Sequence, residues 1–412
     1  MIVRVMGLLF WFASALVAWT YVAFPALVLV RARLRPRPVR TEPITPMVSV
    51  VLAAHDEADH IGARVDDLLA LDYPADRLEI VIASDGSGDA TVAAARRRGD
   101  PRVQVLDLPR VGKAAALNAA VDRATGEILV FTDANTAFAT DAVRMLVRSF
   151  ADPSVGGVAG NQVYLRERTA DRPAVAGESV DDAPATAAAV GERSYWDLDR
   201  VVKEAESLGG SVISATGAIY AIRRELFTAV PDGVTDDFAT STQVIAQGRR
   251  LVFEPLAQAF EPVAGSSGRE YRRKVRIMTR GLRGVAVRRS LLDPRRHGFY
   301  SVQLATHKVL RRMMAVPLLV VAVASPLLWS QGSLYRLATL GQALIYGLGA
   351  IGLLLKDRPA GRRPYFAMPA FFCLVNIASL HALFNLLTGR RIDRWTPARR
   401  PGSGTDDTDL AA

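Results

Sequence analysis

The chain holds a single cysteine, Cys373, among 412 residues, which excludes a disulfide framework and a thiolate metal site, since both need several thiols. Charge is missing from long stretches. Residues 5–30 contain none over 26 positions, about 39 Å as a helix at 1.5 Å per residue, enough to cross roughly 30 Å of hydrocarbon with tilt. Residues 313–329, 337–355 and 365–387 are also uncharged and near spanning length. A translocation path usually needs charged groups within such segments, so their absence argues against a purely transport role. The Gly-x-x-x-x-Gly-Lys-Ser/Thr spacing of a phosphate-binding P-loop does not occur. No basic stripe interleaved with aromatics appears either, so the net charge of +10 points to anionic lipid headgroups and not to nucleic acid.

Half of the residues are hydrophobic although 22% are charged, so the apolar residues sit in blocks. The first block is too long for a signal-peptide core, and Arg31 follows it without a small-residue cleavage site, so it reads as an anchor. Arg31, Arg33, Arg35, Arg37 and Arg40 follow it while only Arg4 and the amino terminus precede it. By the positive-inside rule the middle of the chain is therefore expected in the cytoplasm, beneath a cell membrane crossed more than once. The division expected is an anchor at 1–30, a basic Pro-rich linker at 31–46 and a globular domain at 47–290. An amphipathic interfacial helix follows at 291–312, then two or three membrane helices at 313–388, and a basic, then disordered, tail at 389–412. Three crossings after the domain would leave the tail outside, against the rule, so 365–387, with Pro369, Asn376, His381 and Asn385, reads as re-entrant or packed on other helices.

Within the domain, short apolar runs at 48–53, 78–83, 103–106 and 128–131 alternate with stretches that read as helices, which predicts an α/β fold with a parallel sheet. Ligands of such sheets bind beyond the carboxyl ends of the strands. The residues found there are Ala54-His55-Asp56-Glu57, Ser84-Asp85-Gly86-Ser87 and Thr132-Asp133-Ala134-Asn135. Residues 166–191 lack periodicity and read as a mobile loop.

Asp85 sits in an Asp-Gly turn, where its carboxylate can accept hydrogen bonds from a base or ribose; the plainer account is an ordinary turn. Asp133 and Asn135 offer two hard oxygen ligands suited to Mg²⁺ or Mn²⁺, against the plainer account of a loop or helix cap. Lys113 opens a run of helix formers and can meet a phosphate at a helix start. Asp236 and Asp237 precede an expected helix, where acids suit the dipole and one of them can also serve as a general base.

Six pieces, in this order, resemble the membrane-bound branch of glycosyltransferase family 2, which includes cellulose, chitin and hyaluronan synthases. They are Val48-Ser-Val-Val-Leu-Ala-Ala-His-Asp-Glu57, Ile80-Val-Ile-Ala-Ser-Asp-Gly-Ser87, Gly112-Lys-Ala-Ala-Ala-Leu-Asn118, Phe131-Thr-Asp-Ala-Asn135, Ala215-Thr-Gly-Ala-Ile-Tyr-Ala221 and Thr235-Asp-Asp-Phe238. The resemblance implies a GT-A fold (Rossmann-like, mostly parallel sheet) and a nucleotide-sugar donor, usually UDP-linked. It further implies a divalent metal, Mg²⁺ or Mn²⁺, and inverting transfer to a glycan or lipid-linked acceptor. It places Glu57 and Asp85 on the nucleoside, Lys113 on the diphosphate, Asp133 on the metal-bound diphosphate, and Asp237 as general base supported by Asp236. Gly217 lets the backbone pass close to donor or acceptor. Processive members carry Gln-x-x-Arg-Trp; the nearest segment here is Arg273-Lys-Val-Arg-Ile277, in which only Arg276 matches. The missing Trp removes an aromatic platform for a sugar ring. The basic residues there are expected at a diphosphate, a phosphorylated lipid acceptor or the headgroups. A processive polysaccharide synthase and a catalytically silent membrane scaffold are the alternatives.

Overall fold

The computed structural model describes residues 1–165, 199–262, 267–356 and 358–390. The loop expected at 166–191 and most of the tail, 391–412, lie outside them. The four apolar runs are strands, β1 (Val48–Ala54), β2 (Leu78–Asp85), β3 (Val103–Leu108) and β4 (Ile128–Phe131). Every residue of β1, β2 and β4 is buried, which is why they read as continuous and not as alternating apolar runs. Beyond them lie β5 (Ala137–Phe138), β6 (Val155–Leu165), β7 (Tyr220–Arg223) and β8 (Arg250–Pro262). All join one sheet in the order β3-β2-β1-β4-β7-β6-β8-β5. Pairing is parallel from β3 to β4 and between β6 and β8, and antiparallel where β7 joins β4 and β6. The sheet thus changes from uniformly parallel to mixed at the edge of β4. Asp133 follows β4 on this boundary, where an open α/β sheet leaves room for a ligand.

The first helix is longer than the anchor expected from the sequence. It runs from Ile2 to Leu34, interrupted by a π turn at Trp19–Ala23. Pro25 accounts for the interruption, because its ring lacks an amide and crowds the carbonyl one turn earlier. The basic linker therefore begins after Leu34. Arg31 is helical and lies 4.5 Å over the Phe299 ring. Phe24, Val28 and Ala32 bury against Val202 and Ala205 of the helical residues 199–209.

The segment 291–312 also differs from its expectation. Instead of one helix lying on headgroups, it forms short helices at Pro294–His297 and Phe299–Leu304 and a π turn at Ala305–Leu310. Leu291, Tyr300 and Leu304 enter the core of the globular domain, and the Tyr300 hydroxyl donates to the Ile213 carbonyl at 2.7 Å. Leu304 and Val309 of the stripe read as membrane-facing thus pack on the domain, while Val302 stays exposed.

Among the described residues, three helices are long and apolar enough to cross a membrane, Ile2–Leu34, Ser333–Leu354 and Pro364–Leu387. The run expected as a straight span at 313–329 is instead a 13-residue helix, Ala315–Leu327. It joins Phe299–Met313 at a 54° bend, so the pair counts as a broken span at most. Ser333–Leu354 packs on Pro364–Leu387 at Gly349 and Gly352, where a Cβ would strike Cys373 and the Phe366 carbonyl, the close approach that small residues permit. Pro364–Leu387 also meets the Ser267–Val287 helix, the Tyr271 hydroxyl lying 3.1 Å from His381 Nδ1. The segment expected as re-entrant or packed on other helices thus lies in one 24-residue helix that is long and apolar enough to cross and also carries these helix contacts.

Candidate active site

The site is built around one ammonium. Lys113 is the first residue of the Lys113–Arg123 helix, after Gly112 at φ 93°, a left-handed turn that glycine adopts without steric cost. Its Nζ lies 2.8 Å from Asp133 Oδ1 and 3.0 Å from Asp236 Oδ2. Burial alone would depress the ammonium, but the two carboxylates outweigh it and hold Lys113 above its ordinary range. The segments carrying Lys113, Asp133 and Asp236 are thereby brought to one point. Asn118 secures the helix from behind, exchanging two hydrogen bonds with the Val230 backbone at 3.1 and 2.8 Å.

Asp133 is held closely. Thr132 Oγ1 donates to the Ala218 carbonyl at 2.8 Å and accepts from buried Arg64 at 2.8 Å, tying the end of β4 to residues 215–218. A Cβ on Gly217 would stand 3.0 Å from Asp133 Oδ2. Gly217 therefore makes room for a carboxylate of this chain.

The ends of β1 and β4 crowd acids together. Burial, then Asp133, then Asp89 push the Glu57 carboxyl up to about 7. Glu261, at the end of β8, is likewise raised by burial and Asp133, against the opposing pull of Arg273, Gln162 and Asn135. Asn135, expected as a metal ligand beside Asp133, directs its amide nitrogen to Glu261 Oε1 at 3.4 Å. Among the described residues no three acids or histidines converge as a complete metal set. Asp133 with Glu57 and Glu261 nearby nonetheless leaves negative charge that Lys113 alone does not balance, and such hard oxygens fit a divalent cation completed by diphosphate oxygens.

Asp85 is placed differently from its expectation. It is fully buried, and its Oδ1 accepts from the Val111 and Gly112 amides at 2.7 and 2.8 Å while Arg110 donates to Oδ2 at 3.0 Å. Because Asp85 is fully buried with three donors of this chain on its carboxylate, it shapes the loop that presents Lys113 and presents no exposed oxygen to a base. Asp56 serves the rim in a similar way, adopting φ 52° and accepting from the Gly88 amide at 2.8 Å.

Asp236 and Asp237 begin the Asp236–Ala246 helix after Thr235. Burial pushes the Asp236 carboxyl up, but Lys113 and its own amide hold it below its ordinary range. Asp237 is raised, first by burial and then by the charge on Asp236, with Lys308 opposing. One acid of the pair is thus committed to Lys113 and the other has a higher proton affinity. Arg276 lies on the Ser267–Val287 helix within the field of Asp133, and burial lowers its guanidinium. Arg280, one turn on, donates to the Val234 carbonyl at 3.0 Å.

The sequence reading missed Glu261 and Lys308. Glu261 is the penultimate residue of a 13-residue strand that was not anticipated, so nothing marked it. Lys308 had a signal: it follows Tyr300 and Leu304 at successive four-residue steps, the helical spacing of a single face.

Known proteins resemble this chain in sequence and in fold. Residues 49–228 match the family model described as glycosyl transferase family 2. The poly-beta-1,6-N-acetyl-D-glucosamine synthase of Staphylococcus aureus (strain MSSA476) is 27% identical over 237 residues, 56% of this chain and 53% of that protein. The synthase of the same name from Staphylococcus epidermidis is 25% identical over the same shares. The chain therefore spans about half the length of the curated relatives it matches. Among solved structures, a mannosyltransferase from Pyrobaculum calidifontis in complex with GDP-Man and Mn²⁺ superposes with a TM-score of 0.66. It is 26% identical and covers 93% of this chain and 100% of its own. The fold is that of the GT-A class. Residues 49–228 are a glycosyl transferase family 2 domain, here carried with apolar helices on both sides.

Proposed function

We propose that the chain is a membrane-held inverting glycosyltransferase that moves a sugar from a nucleoside-diphosphate sugar to a glycan or lipid-linked acceptor at the cytoplasmic face. The observation that carries this reading is the convergence of Asp133 and Asp236 on one Lys113 ammonium, at 2.8 and 3.0 Å, with Asp237 adjacent and retaining a raised proton affinity. Asp237 accepts the proton of the acceptor hydroxyl as its oxygen attacks the anomeric carbon, and the bond from that carbon to the diphosphate breaks on the opposite face. Lys113 and Arg276 meet the charge of the departing diphosphate, and Glu57 faces the nucleoside. Asp133, with Glu261 behind it, would hold Mg²⁺ or Mn²⁺, which when bound adds positive charge at the diphosphate. The runs of arginine beside the first apolar helix support the cytoplasmic side.

A processive reading draws on the likeness to the staphylococcal polymer synthases; Ile277, where an aromatic platform would follow Arg276, favours short products. Both are tested by following nucleoside diphosphate release, and product length, from UDP-N-acetylglucosamine and GDP-mannose with Mn²⁺ or Mg²⁺, using the detergent-solubilised chain and Asp237→Asn. Release that the substitution abolishes supports the transferase, and the productive donor names its sugar. Nucleotide binding without release from any donor, across a panel of acceptors, would overturn it.

A further inference from the structure

Lys308 lies outside the family motifs, yet its ammonium stands 5.7 Å from the centroid of the Phe238 ring, directly after Asp237. It is carried by the π turn Ala305–Leu310, a widened turn of a kind frequent at functional sites. The turn divides neighbouring side chains between two regions. His307 packs edge-on to Phe24, 5.1 Å between centroids, and lies 3.6 Å from Glu206, while Lys308 points to the start of the Asp236–Ala246 helix. Both partners of the contact are fixed. Tyr300 and Leu304, on the same face as Lys308, are buried, and a Cβ on Gly284 would lie 2.8 Å from the Phe238 ring, so that ring has no room to turn away.

The charges around Asp237 give this cation a task. Asp236 lies beside it and Lys113 across from it, but Lys113 already contacts Asp133 and Asp236 at 2.8 and 3.0 Å. Burial and the Asp236 charge both favour neutral Asp237, and a neutral carboxyl cannot accept a proton. Lys308 is the cation that opposes them most. Burial, then Arg312 one turn on, lower the Lys308 ammonium to about 8, with Asp237 and Asp199 opposing and Lys203 adding to the lowering, so it is the cation facing Asp237 below that pH.

We propose that Lys308 is a positioning residue for the transfer step, holding the Asp237 carboxylate in its ionised, proton-accepting form. The proposal rests on Asp237 being the base. Because the helix of Lys308 continues through the 54° bend into Ala315–Leu327, the packing of the apolar helices fixes where this cation stands.

The test is the titration of Asp237 in the full chain in detergent, read by pH-difference infrared spectroscopy as the protonated-carboxyl band that Asp237→Asn removes. Lys308→Met should move the midpoint of that band upward by about one pH unit, roughly tenfold in proton affinity, and Lys308→Arg should return it toward the parent. In turnover, Lys308→Met should shift the acid limb of the pH profile upward by the same amount and approach parental rates at high pH. An unmoved midpoint, or a pH-independent loss that Lys308→Arg does not rescue, overturns the proposal and leaves Lys308 a packing residue or a headgroup contact. Parental turnover by Asp237→Asn would instead refute the base assignment, while the midpoint still decides whether Lys308 controls that carboxylate.

Discussion

The ends of β2 and β4 place aspartates in parallel strands of one sheet, two strands apart, and the two carboxylates have opposite circumstances. Asp85 is completely enclosed and accepts from two backbone amides and an arginine. Asp133 shares one lysine with Asp236, leaves a third of its side chain open and raises the proton affinity of Glu57 and Glu261 by its charge. The same residue type at equivalent points of a fold thus organises a loop in one case and holds unbalanced charge in the other. Donors already present within the chain mark the first as architecture. A lysine shared with Asp236 and a side chain left one-third open distinguish the second.

The sharpest way to break this comparison is at the far side of Lys113. Asp237→Asn should lower turnover by roughly a thousandfold while leaving nucleotide affinity nearly unchanged, since it removes the base and little else. Parental turnover would remove Asp237 from the chemistry. Asp133→Ala comes next. It should abolish the part of nucleotide affinity that depends on Mn²⁺, with a loss of roughly tenfold or more, because the principal hard-oxygen ligand goes. Equal affinity with and without Mn²⁺ in parent and mutant would contradict the unbalanced-charge reading of β4.

Asp85→Asn should behave in the opposite way. An amide retains one acceptor oxygen but sets an NH₂ group against the Val111 and Gly112 amides or Arg110, so the loop before Lys113 loosens at a cost of about 1–3 kcal/mol. The signature is a lowered unfolding midpoint, with any loss of nucleotide affinity independent of Mn²⁺. A loss confined to Mn²⁺-dependent binding would put Asp85 in the same class as Asp133.

Much of this was legible before the structure, and unevenly. β1, β2 and β4 are mostly apolar runs, broken only by Ser49 in β1 and by Glu79 and the closing Ser84-Asp85 in β2, because both faces of those strands are covered, so the acids at and after their ends could be found by position alone. Lys113 and Asp236 could be named individually, but no sequence pattern shows that they touch, since 123 positions separate them. The mixed half was hidden for a different reason. β6 and β8 pair with register shifts at Val155/Gly157 and Gly160/Asn161, which blur any two-residue period, and Glu261 was lost with them. The helix around Lys308 showed an apolar stripe of moderate strength. A stripe does not declare whether it packs on lipid or on a sheet, and here Tyr300 and Leu304 pack on the domain.

Glu206 provides the smallest effect and the strictest check, because it is an unbalanced acid outside the site. It is 3% exposed, its Oε1 has no hydrogen-bond partner among the described residues, and burial followed by the charge of Asp199 pushes its carboxyl up to about 8. A carboxyl raised in the folded state binds more protons folded than unfolded between its ordinary range and about 8. Stability is therefore highest at acid pH and falls as pH rises through that window. Glu206→Gln keeps the shape without the ionisation, so it should raise the apparent unfolding midpoint at pH near 8 by a few degrees and leave it nearly unchanged at pH near 5. If parent and variant lose stability in parallel over that range, Glu206 does not carry the penalty, and the crowded acids at β1 and β4 become the place to look for the pH dependence. If the variant flattens it, unbalanced charge in this chain also occurs where the first helix meets the domain, and a raised carboxyl alone does not identify the site without a shared cation like Lys113.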